Sequence, residues 1–345
     1  MSSNAPRSRL RAQSPEQKTL LAGAIARALA VFCVDEVVVF DDDENHTSND
    51  DDDLSSDKHQ HHNTHASEYT AYSDPSHFLT HLLSYLETPP YLRKHLFPMH
   101  PNLRTAGLLP SLDMPHHLRA HEWCDYREGI VVSPSLQVNP GSRSRCSANR
   151  KHSYWDSSED DSDASSQACH GRNRTVVDIG LSQRITVPES DLAAHSRVTV
   201  RICPDGAHSV HPSAPRAEAG YYWGYYVRRC RSLSAVFTEC PFDGGYDLSF
   251  GTSERGSPVR QVLQGDSGSL PRHRRMLVVF GGVSGIEAAV RNDPQLQEMN
   301  FPPAEADKLF DYWVNFLPGQ GSRTIRTEEA VWLGLTSLRG LAQRE

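Results

Sequence analysis

The sequence has 345 residues, of which 37% are hydrophobic, and it carries a formal net charge of −8. This length allows two domains, but no apolar run approaches the roughly 20 residues that cross a bilayer. The N-terminal residues lack the apolar core of a secretory signal. The seven cysteines are scattered, without a CxxC pair, which disfavours a disulfide framework or a structural zinc site. We therefore expect an intracellular protein without a membrane segment.

The acidic residues are concentrated in two tracts. Residues 41–57 contain nine acids and residues 156–163 contain five, and neither tract contains Lys or Arg. The two tracts together contribute fourteen negative charges, which is more than the whole chain's net charge of −8. The rest of the chain therefore carries a small positive net charge. That balance is compatible with a nucleic-acid partner but does not require one.

The first elements predict an α/β rhythm. Residues 17–30 have the apolar spacing of a helix, and "VDEVVVF" (34–40) is typical of a buried strand. Residues 41–76 are too charged and too poor in large aliphatic side chains to fold, so we predict a disordered insertion. The histidines at 59, 61, 62 and 65 could bind a metal, but flexible polar tracts collect histidine without a defined geometry, and we expect no metal site. A second amphipathic helix lies within 77–98 and is stopped by two prolines.

From about residue 127 the pattern changes to short β-like pieces. "REGIVV", "TVVDIG", "QRITVP" and "RVTVRI" are separated by turn residues. They predict a small barrel or OB-like module, a scaffold that often holds oligonucleotides. Residues 142–174 form a second polar insertion, whose basic residues could contact phosphate or only be solvated. After residue 219, strands, glycine loops and helices recur, so the sequence predicts one α/β domain split by an inserted β module.

Two glycine loops near the C-terminus are poor phosphate sites. Neither "FLPGQGSRT" nor "VFGGVSGIE" contains the Gly-Lys pair of a P-loop, and neither has GxGxxG spacing. A helix is predicted to begin near Thr327 as its N-cap, with Glu328 and Glu329 in the first turn. Two carboxylates repel a phosphate, but they tolerate a neutral or cationic ligand such as an adenosine cofactor with a sulfonium.

Three C-terminal motifs resemble those of a known superfamily. "DLSFGTSERG" (247–256), "LVVFGGVSGIEAAV" (277–290) and "NFLPGQGSRTIRTEEAV" (315–331) are similar to the cofactor motifs of the SPOUT superfamily. More narrowly, they resemble the RNA methyltransferases of archaea and eukaryotes that carry an OB-like insertion. The resemblance covers most of the chain outside the polar insertions. It implies a trefoil-knotted α/β domain, S-adenosylmethionine as cofactor, RNA as substrate and a homodimer, without metal.

The resemblance also implies domain bounds and site residues. The SPOUT domain would comprise residues 14–125 and 217–345, interrupted by the OB-like module at 126–216. The implied cofactor-binding residues are Thr252, Ser253, Gly281, Gly282, Gly285, Leu317, Gly319, Gln320, Gly321, Ser322 and Thr324. For Gly281 and Gly282, the alternative is close packing of helix on strand.

Three further residues are catalytic candidates. Arg255 and Arg323 are predicted to contact RNA phosphate or to stabilise a deprotonated base, and Glu329 to accept a proton. For Glu329, helix capping is the competing interpretation. The rival function for the whole chain is a catalytically inactive RNA-binding or scaffold protein that retains the SPOUT fold.

Other residues leave alternatives open. His116 and His117 could contact RNA or pack inside the protein. The aromatic residues of "GYYWGYYV" could stack on bases, although alternation along a strand would bury half of them. Family members have an apolar opening strand before the first helix, whereas "MSSNAPRSRLRAQ" has no apolar run. We expect either a sheet without this strand or a sequence that begins late, and a nuclear rather than cytoplasmic protein.

Overall fold

The computed structural model describes residues 14–42, 68–136, 174–188, 192–264 and 271–342. The chain divides into two compact units. The second unit comprises Lys94–Leu96 and Leu118–Gly220, and the first comprises the remainder. Residues 1–13, which have no apolar run where family members have an opening strand, lie outside the described residues, as do the histidines of the first insertion and the basic residues 143, 145, 150 and 151 of the second. Within the described residues, no helix has the length and apolarity of a membrane span.

The elements before the inserted module are mostly helical. They are α1 (Pro15–Val31), β1 (Glu36–Phe40), α2 (Pro75–Glu87), α3 (Pro90–Leu96) and the 3-10 helices Pro101–Leu103 and Ala106–Leu108. Helix α1 begins with a capping box between Ser14 and Gln17. The two prolines end α2 as predicted, but Pro90 also begins α3 because proline suits the first position of a helix.

The second unit contains a barrel-like sheet. Its strands are β2 (Tyr126–Leu136), β3 (Arg174–Asp178), β4 (Ile185–Val187), β5 (Arg197–Cys203) and β6 (Gly206–Val210), followed by α4 (Ala214–Ala219). The antiparallel order is β4-β3-β2-β5-β6, and the two outer strands approach each other, so the sheet is nearly closed. Val131, Val177 and Val200 lie in its core. The predicted small β module is confirmed at this level.

The first unit is completed by the C-terminal elements. They are β7 (Tyr226–Cys230), α5 (Leu233–Thr238), β8 (Leu248–Pro258), α6 (Val259–Gln264), β9 (Met276–Val279), α7 (Ile286–Arg291), α8 (Pro294–Glu298), the 3-10 helix Pro303–Leu309, β10 (Tyr312–Asn315) and α9 (Thr327–Ala342). Strand β1 pairs with β7, and β8 lies between β10 and β9; all these pairs are parallel. The mixed α/β class is therefore confirmed.

The first polar insertion is shorter in the structure than its predicted range. Residues 68–76 are described, with Thr70, Asp74 and Ser76 buried. Asp74 caps α2 by accepting a hydrogen bond from the His77 N–H at 2.9 Å, and it also pairs with Arg229 at 2.8 Å. These contacts fix the chain before α2, while residues 43–67 lie outside the described residues.

Candidate active site

The three predicted cofactor loops belong to the three strands of one parallel sheet. The first loop lies within β8, the second follows β9 and the third follows β10. Because β8 is the middle strand and both neighbours are parallel to it, the loops meet at the carboxyl edge of the sheet. This edge is where open α/β sheets bind their ligands.

The first loop is a bulge inside β8. Gly251 is paired with Trp313, but the next partner, Val314, is paired with Ser257, so residues 252–256 leave the ladder. Thr252 and Ser253 are half-buried in this bulge. A Cβ atom on Gly256 would lie 2.5 Å from the backbone of Val314. The strand therefore needs glycine to return to the sheet.

Asn315, the last residue of β10, joins the first and third loops. Its side-chain Nδ2 donates a hydrogen bond to the carbonyl of Glu254 at 2.7 Å. Its Oδ1 accepts one from the N–H of Leu317 at 2.9 Å. Asn315 was not among the residues predicted from the sequence, where its only signal is a polar side chain at the end of an apolar strand.

The second loop is a glycine turn that starts α7. The N–H of Gly285 donates to the carbonyl of Gly282 at 3.1 Å, and Gly285 has a φ of +76°. A Cβ on Gly281 would lie 2.6 Å from the backbone nitrogen of Ile286, which favours the packing interpretation for this glycine. The Arg255 guanidinium lies 3.5 Å from the Glu287 carboxylate and connects the first loop to α7.

The third loop presents open backbone. Gly319 has a φ of +76°, and no heavy atom of its surroundings would lie within 4 Å of a Cβ on Gly319 or Gly321. Ser322, Arg323 and Thr324 are exposed, and Gln320 is half-buried. The Leu317 side chain is 40% exposed. A ligand can therefore approach the backbone and the hydroxyl groups of this loop.

Helix α9 packs against the residues that begin the second and third loops. A Cβ on Gly334 would lie 2.8 Å from the Phe280 ring and 2.9 Å from the Phe316 ring. These two phenylalanines open the second and third loops, and their ring centroids are 6.3 Å apart. Because Gly334 has no side chain, the phenylalanines that begin both loops can pack against the same helix.

The start of α9 gives Glu329 a capping contact. The helix begins at Thr327, and Glu329 Oε2 accepts a hydrogen bond from the N–H of Arg326 at 3.0 Å. This contact satisfies an N–H group that the helix leaves without a partner. Helix capping therefore accounts for one oxygen of Glu329, and its catalytic role stays a prediction.

His116 and His117 lie inside the first unit rather than on its surface. His116 is 0% exposed, and its Nε2 lies 3.0 Å from the Glu87 carboxylate. His117 Nε2 lies 2.7 Å from the carbonyl of Glu87. Burial, with the neighbouring His116, lowers the pKa of His117 to about 4. The structure favours the packing interpretation for both histidines.

The aromatic residues 221–226, which lead into β7, differ in their exposure to solvent. Trp223 and Tyr225 are buried, and the Tyr222 hydroxyl donates a hydrogen bond to the carbonyl of Val34 at 2.7 Å. Tyr221 and Tyr226 are exposed. Core packing therefore accounts for most of this group, although residues 221–225 precede the strand and their burial does not come from alternation along it.

Comparison with known proteins gives the family. The family model described as "Putative RNA methyltransferase" matches residues 5–338. The chain belongs to this family. A relative from Homo sapiens, named 28S rRNA (uridine-N(3))-methyltransferase, is 42% identical over 344 residues, 96% of this chain and 76% of the relative. The predicted RNA methyltransferase activity is thereby confirmed.

Two more distant relatives cover a similar part of this chain. A Drosophila melanogaster protein with the same printed name is 36% identical and covers 95% of this chain and 59% of its own length. A Caenorhabditis elegans protein, "Putative methyltransferase spot-1", is 31% identical over 93% of this chain and 75% of its own length. These matches span both units, so the inserted module is part of what the relatives share.

Proposed function

We propose that this chain transfers a methyl group from S-adenosylmethionine to N3 of a uridine in ribosomal RNA. The observation that carries the proposal is the meeting of three polar glycine loops at the carboxyl edge of one parallel sheet. The substrate is supported by the relatives from Homo sapiens, Mus musculus and Drosophila melanogaster, which are named 28S rRNA (uridine-N(3))-methyltransferases.

The proposed architecture is a trefoil-knotted SPOUT domain, residues 14–125 and 217–345, with an OB-like insertion at 126–216. It is supported by the parallel order β10-β8-β9 and by the nearly closed five-stranded sheet. The resemblance also implies a homodimer in which the OB-like insertion binds part of the RNA. The 28S rRNA named for the relatives supports a nuclear or nucleolar location.

The residues of the three loops suit S-adenosylmethionine. Gly319 and Gly321 leave open backbone that an adenosine can approach. Hydroxyl groups are supplied by Thr252, Ser253, Ser322 and Thr324, and the predicted cofactor residues include no lysine that would favour a polyphosphate. When bound, the cofactor supplies a methyl group on a positively charged sulfur.

The base requires help from the chain because N3 of uridine carries a proton. Loss of this proton leaves a negative charge on N3 and the two carbonyl oxygens, which a cation stabilises. Arg323 is exposed and makes no ion pair with another described residue. It therefore remains available to the base or to a neighbouring phosphate, whereas Arg255 already lies beside Glu287.

Glu329 is the proposed acceptor for this proton. Its Oε2 accepts a hydrogen bond from the N–H of Arg326. Its Oε1 makes no hydrogen bond with another described residue. A carboxylate fixed in this way has a defined orientation beside the third loop. Capping and proton acceptance would then be performed by different oxygens of one side chain.

Isothermal titration with S-adenosylhomocysteine tests the cofactor site. We expect the full chain to bind this ligand and to methylate ribosomal RNA when S-adenosylmethionine is added. A folded chain that binds no ligand would overturn the proposal. Binding without transfer to any cellular RNA would favour the rival function, an inactive scaffold.

A further inference from the structure

Side-chain hydrogen bonds connect β8 and β10 at both ends of this strand pair. At the amino end, the Ser249 hydroxyl donates to the carboxylate of Asp311, the residue before β10, at 2.7 Å and accepts from the Asp311 N–H at 3.0 Å. At the carboxyl end, the Asn315 side chain also donates one bond and accepts one. The two ends are matched in these bonds, but Asn315 contacts two of the predicted cofactor loops and Ser249 contacts neither.

Asn315 attaches the first loop to β10 at a point where the backbone ladder ends. The last pair of the ladder joins Asn315 to Pro258, and proline has no N–H to donate. The residues of the bulge, 252–256, have no ladder partner in β10. The carbonyl of Glu254, in the middle of this bulge, instead accepts the bond from Asn315 Nδ2 at 2.7 Å. A side chain therefore does here what the backbone cannot.

The same amide fixes the start of the third loop. Its Oδ1 accepts from the N–H of Leu317, two residues further along the chain, at 2.9 Å. This local bond sets the direction in which the chain leaves β10. The donor and the acceptor of an amide have a fixed separation, so the half-buried Asn315 holds the two loops at a fixed distance from each other.

A second side-chain link of the first loop is weaker. It runs to α7 through the ion pair of Arg255 with Glu287, whose closest atoms are 3.5 Å apart. The Arg255 side chain is 76% exposed, and exposed ion pairs contribute little because water and salt screen them. We therefore expect the position of the first loop to depend mainly on Asn315.

We propose that Asn315 is a positioning residue of the cofactor site, which holds the first and third loops at the separation at which one cofactor molecule contacts both. The inference rests on the proposed function, in which Thr252 and Ser253 of the first loop and residues 319–324 of the third bind the cofactor. Loops that are already held in place lose less conformational freedom when a ligand binds, so the link raises affinity.

Asn315→Asp breaks only the link between the loops. Its carboxylate can still accept from the Leu317 N–H, but it cannot donate to the Glu254 carbonyl, and the two oxygens repel each other. Titration calorimetry should show the affinity for S-adenosylhomocysteine falling about tenfold. Asn315→Ala, which adds no charge, should show a fall of similar size.

Ser249→Ala is the matched control. It also removes one donated and one accepted side-chain bond, and Ser249 is buried. Its urea midpoint should therefore fall at least as far as that of Asn315→Ala, whereas its affinity for S-adenosylhomocysteine should equal that of the unsubstituted chain. An equal loss of affinity in the two alanine variants would assign the effect to the stability of the strand pair and overturn the inference.

A further variant covers the case in which Asn315→Asp fails to fold. Asn315→Gln keeps the neutral amide but lengthens the side chain by one methylene group, so it cannot reach both partners at their present separation, and affinity should again fall. Unchanged affinity in the folded Asn315 variants would overturn the inference and leave the proposed function intact. If the unsubstituted chain binds no S-adenosylhomocysteine, both fail.

Discussion

The carboxyl edge of the β10-β8-β9 sheet and the corner around Glu87 are both rich in polar residues, but the polar groups differ in their surroundings. At the sheet edge, Gly321 has open space around it, and Arg323 is exposed. At the corner, Glu87 and His116 are buried against each other, and a Cβ on Gly224 would lie 2.5 Å from Glu87 Oε1.

This difference separates function from stability. A buried carboxylate with a bonded partner is costly to disturb and has no room for a ligand. A loop with open backbone contributes little to packing but can meet a substrate. Substitutions at the two places should therefore affect different measurements.

The largest expected effect is loss of ligand binding in Gly321→Trp. Because no heavy atom would lie within 4 Å of a Cβ there, the indole should fill ligand space without unfolding the protein. Calorimetry should show S-adenosylhomocysteine affinity reduced beyond detection. Gly340→Trp, on α9 with equally open surroundings, is the matched control and should bind normally. If Gly321→Trp bound S-adenosylhomocysteine normally, the third loop would not be part of the cofactor site.

Glu87→Ala should lower the stability of the corner around Glu87 and His116. It removes the carboxylate that pairs with buried His116, so urea unfolding should show a loss of about 2–3 kcal/mol in unfolding free energy. Ligand affinity of the folded protein should stay unchanged. Glu298→Ala, at an exposed position, should leave stability within about 0.5 kcal/mol. A Glu87→Ala protein with full stability but impaired methyl transfer would contradict the assignment of Glu87 to stability rather than to function.

Arg323→Ala should lower methyl transfer without weakening cofactor binding. We expect a decrease of about 30-fold in kcat/KM because a cation near the deprotonated base contributes to the transition state. Single-turnover kinetics and calorimetry on the same samples separate the two effects. Arg339→Ala, in the last turn of α9, should transfer normally. Equal activity in the two variants would exclude Arg323 from the chemistry.

The smallest effect is a pH dependence of stability from His117. Its pKa is about 4 in the folded protein against 6.5 ordinarily, so the unfolded state binds more protons between these values. The associated stability is present above pH 6.5 and is lost as pH falls towards 4. His117→Gln should reduce the fall in unfolding free energy between pH 7 and pH 5 by about 1–2 kcal/mol. An unchanged pH dependence would contradict the burial argument.

Local patterns predicted the elements and the three glycine loops. The apolar spacing of α1, the valine run of β1 and the glycines after β9 and β10 are all signals within about ten residues. They could indicate which loops are candidates for ligand binding because open α/β sheets bind ligands at the carboxyl ends of their strands. The proposed cofactor came from the family motifs, because periodicity alone does not indicate a ligand.

Long-range contacts could not be predicted in this way. Asn315 bonds to the bulge in β8, and Asp42 lies against Gly282, in both cases through strand order rather than sequence proximity. The histidine pair was ambiguous for the same reason, since its burial depends on Glu87 from α2. Composition gives the residue types, and tertiary packing decides which of them meet.

We propose that the loops at the carboxyl edge of the β10-β8-β9 sheet direct methylation of uridine in ribosomal RNA. The most direct test of this proposal uses S-adenosylmethionine with an isotope-labelled methyl group, ribosomal RNA and the full chain, followed by mass spectrometry of the nucleosides. We expect labelled 3-methyluridine with the unsubstituted chain and with Gly340→Trp, and none with Gly321→Trp. Ribosomal RNA that stays unlabelled with a folded, cofactor-binding chain would contradict it.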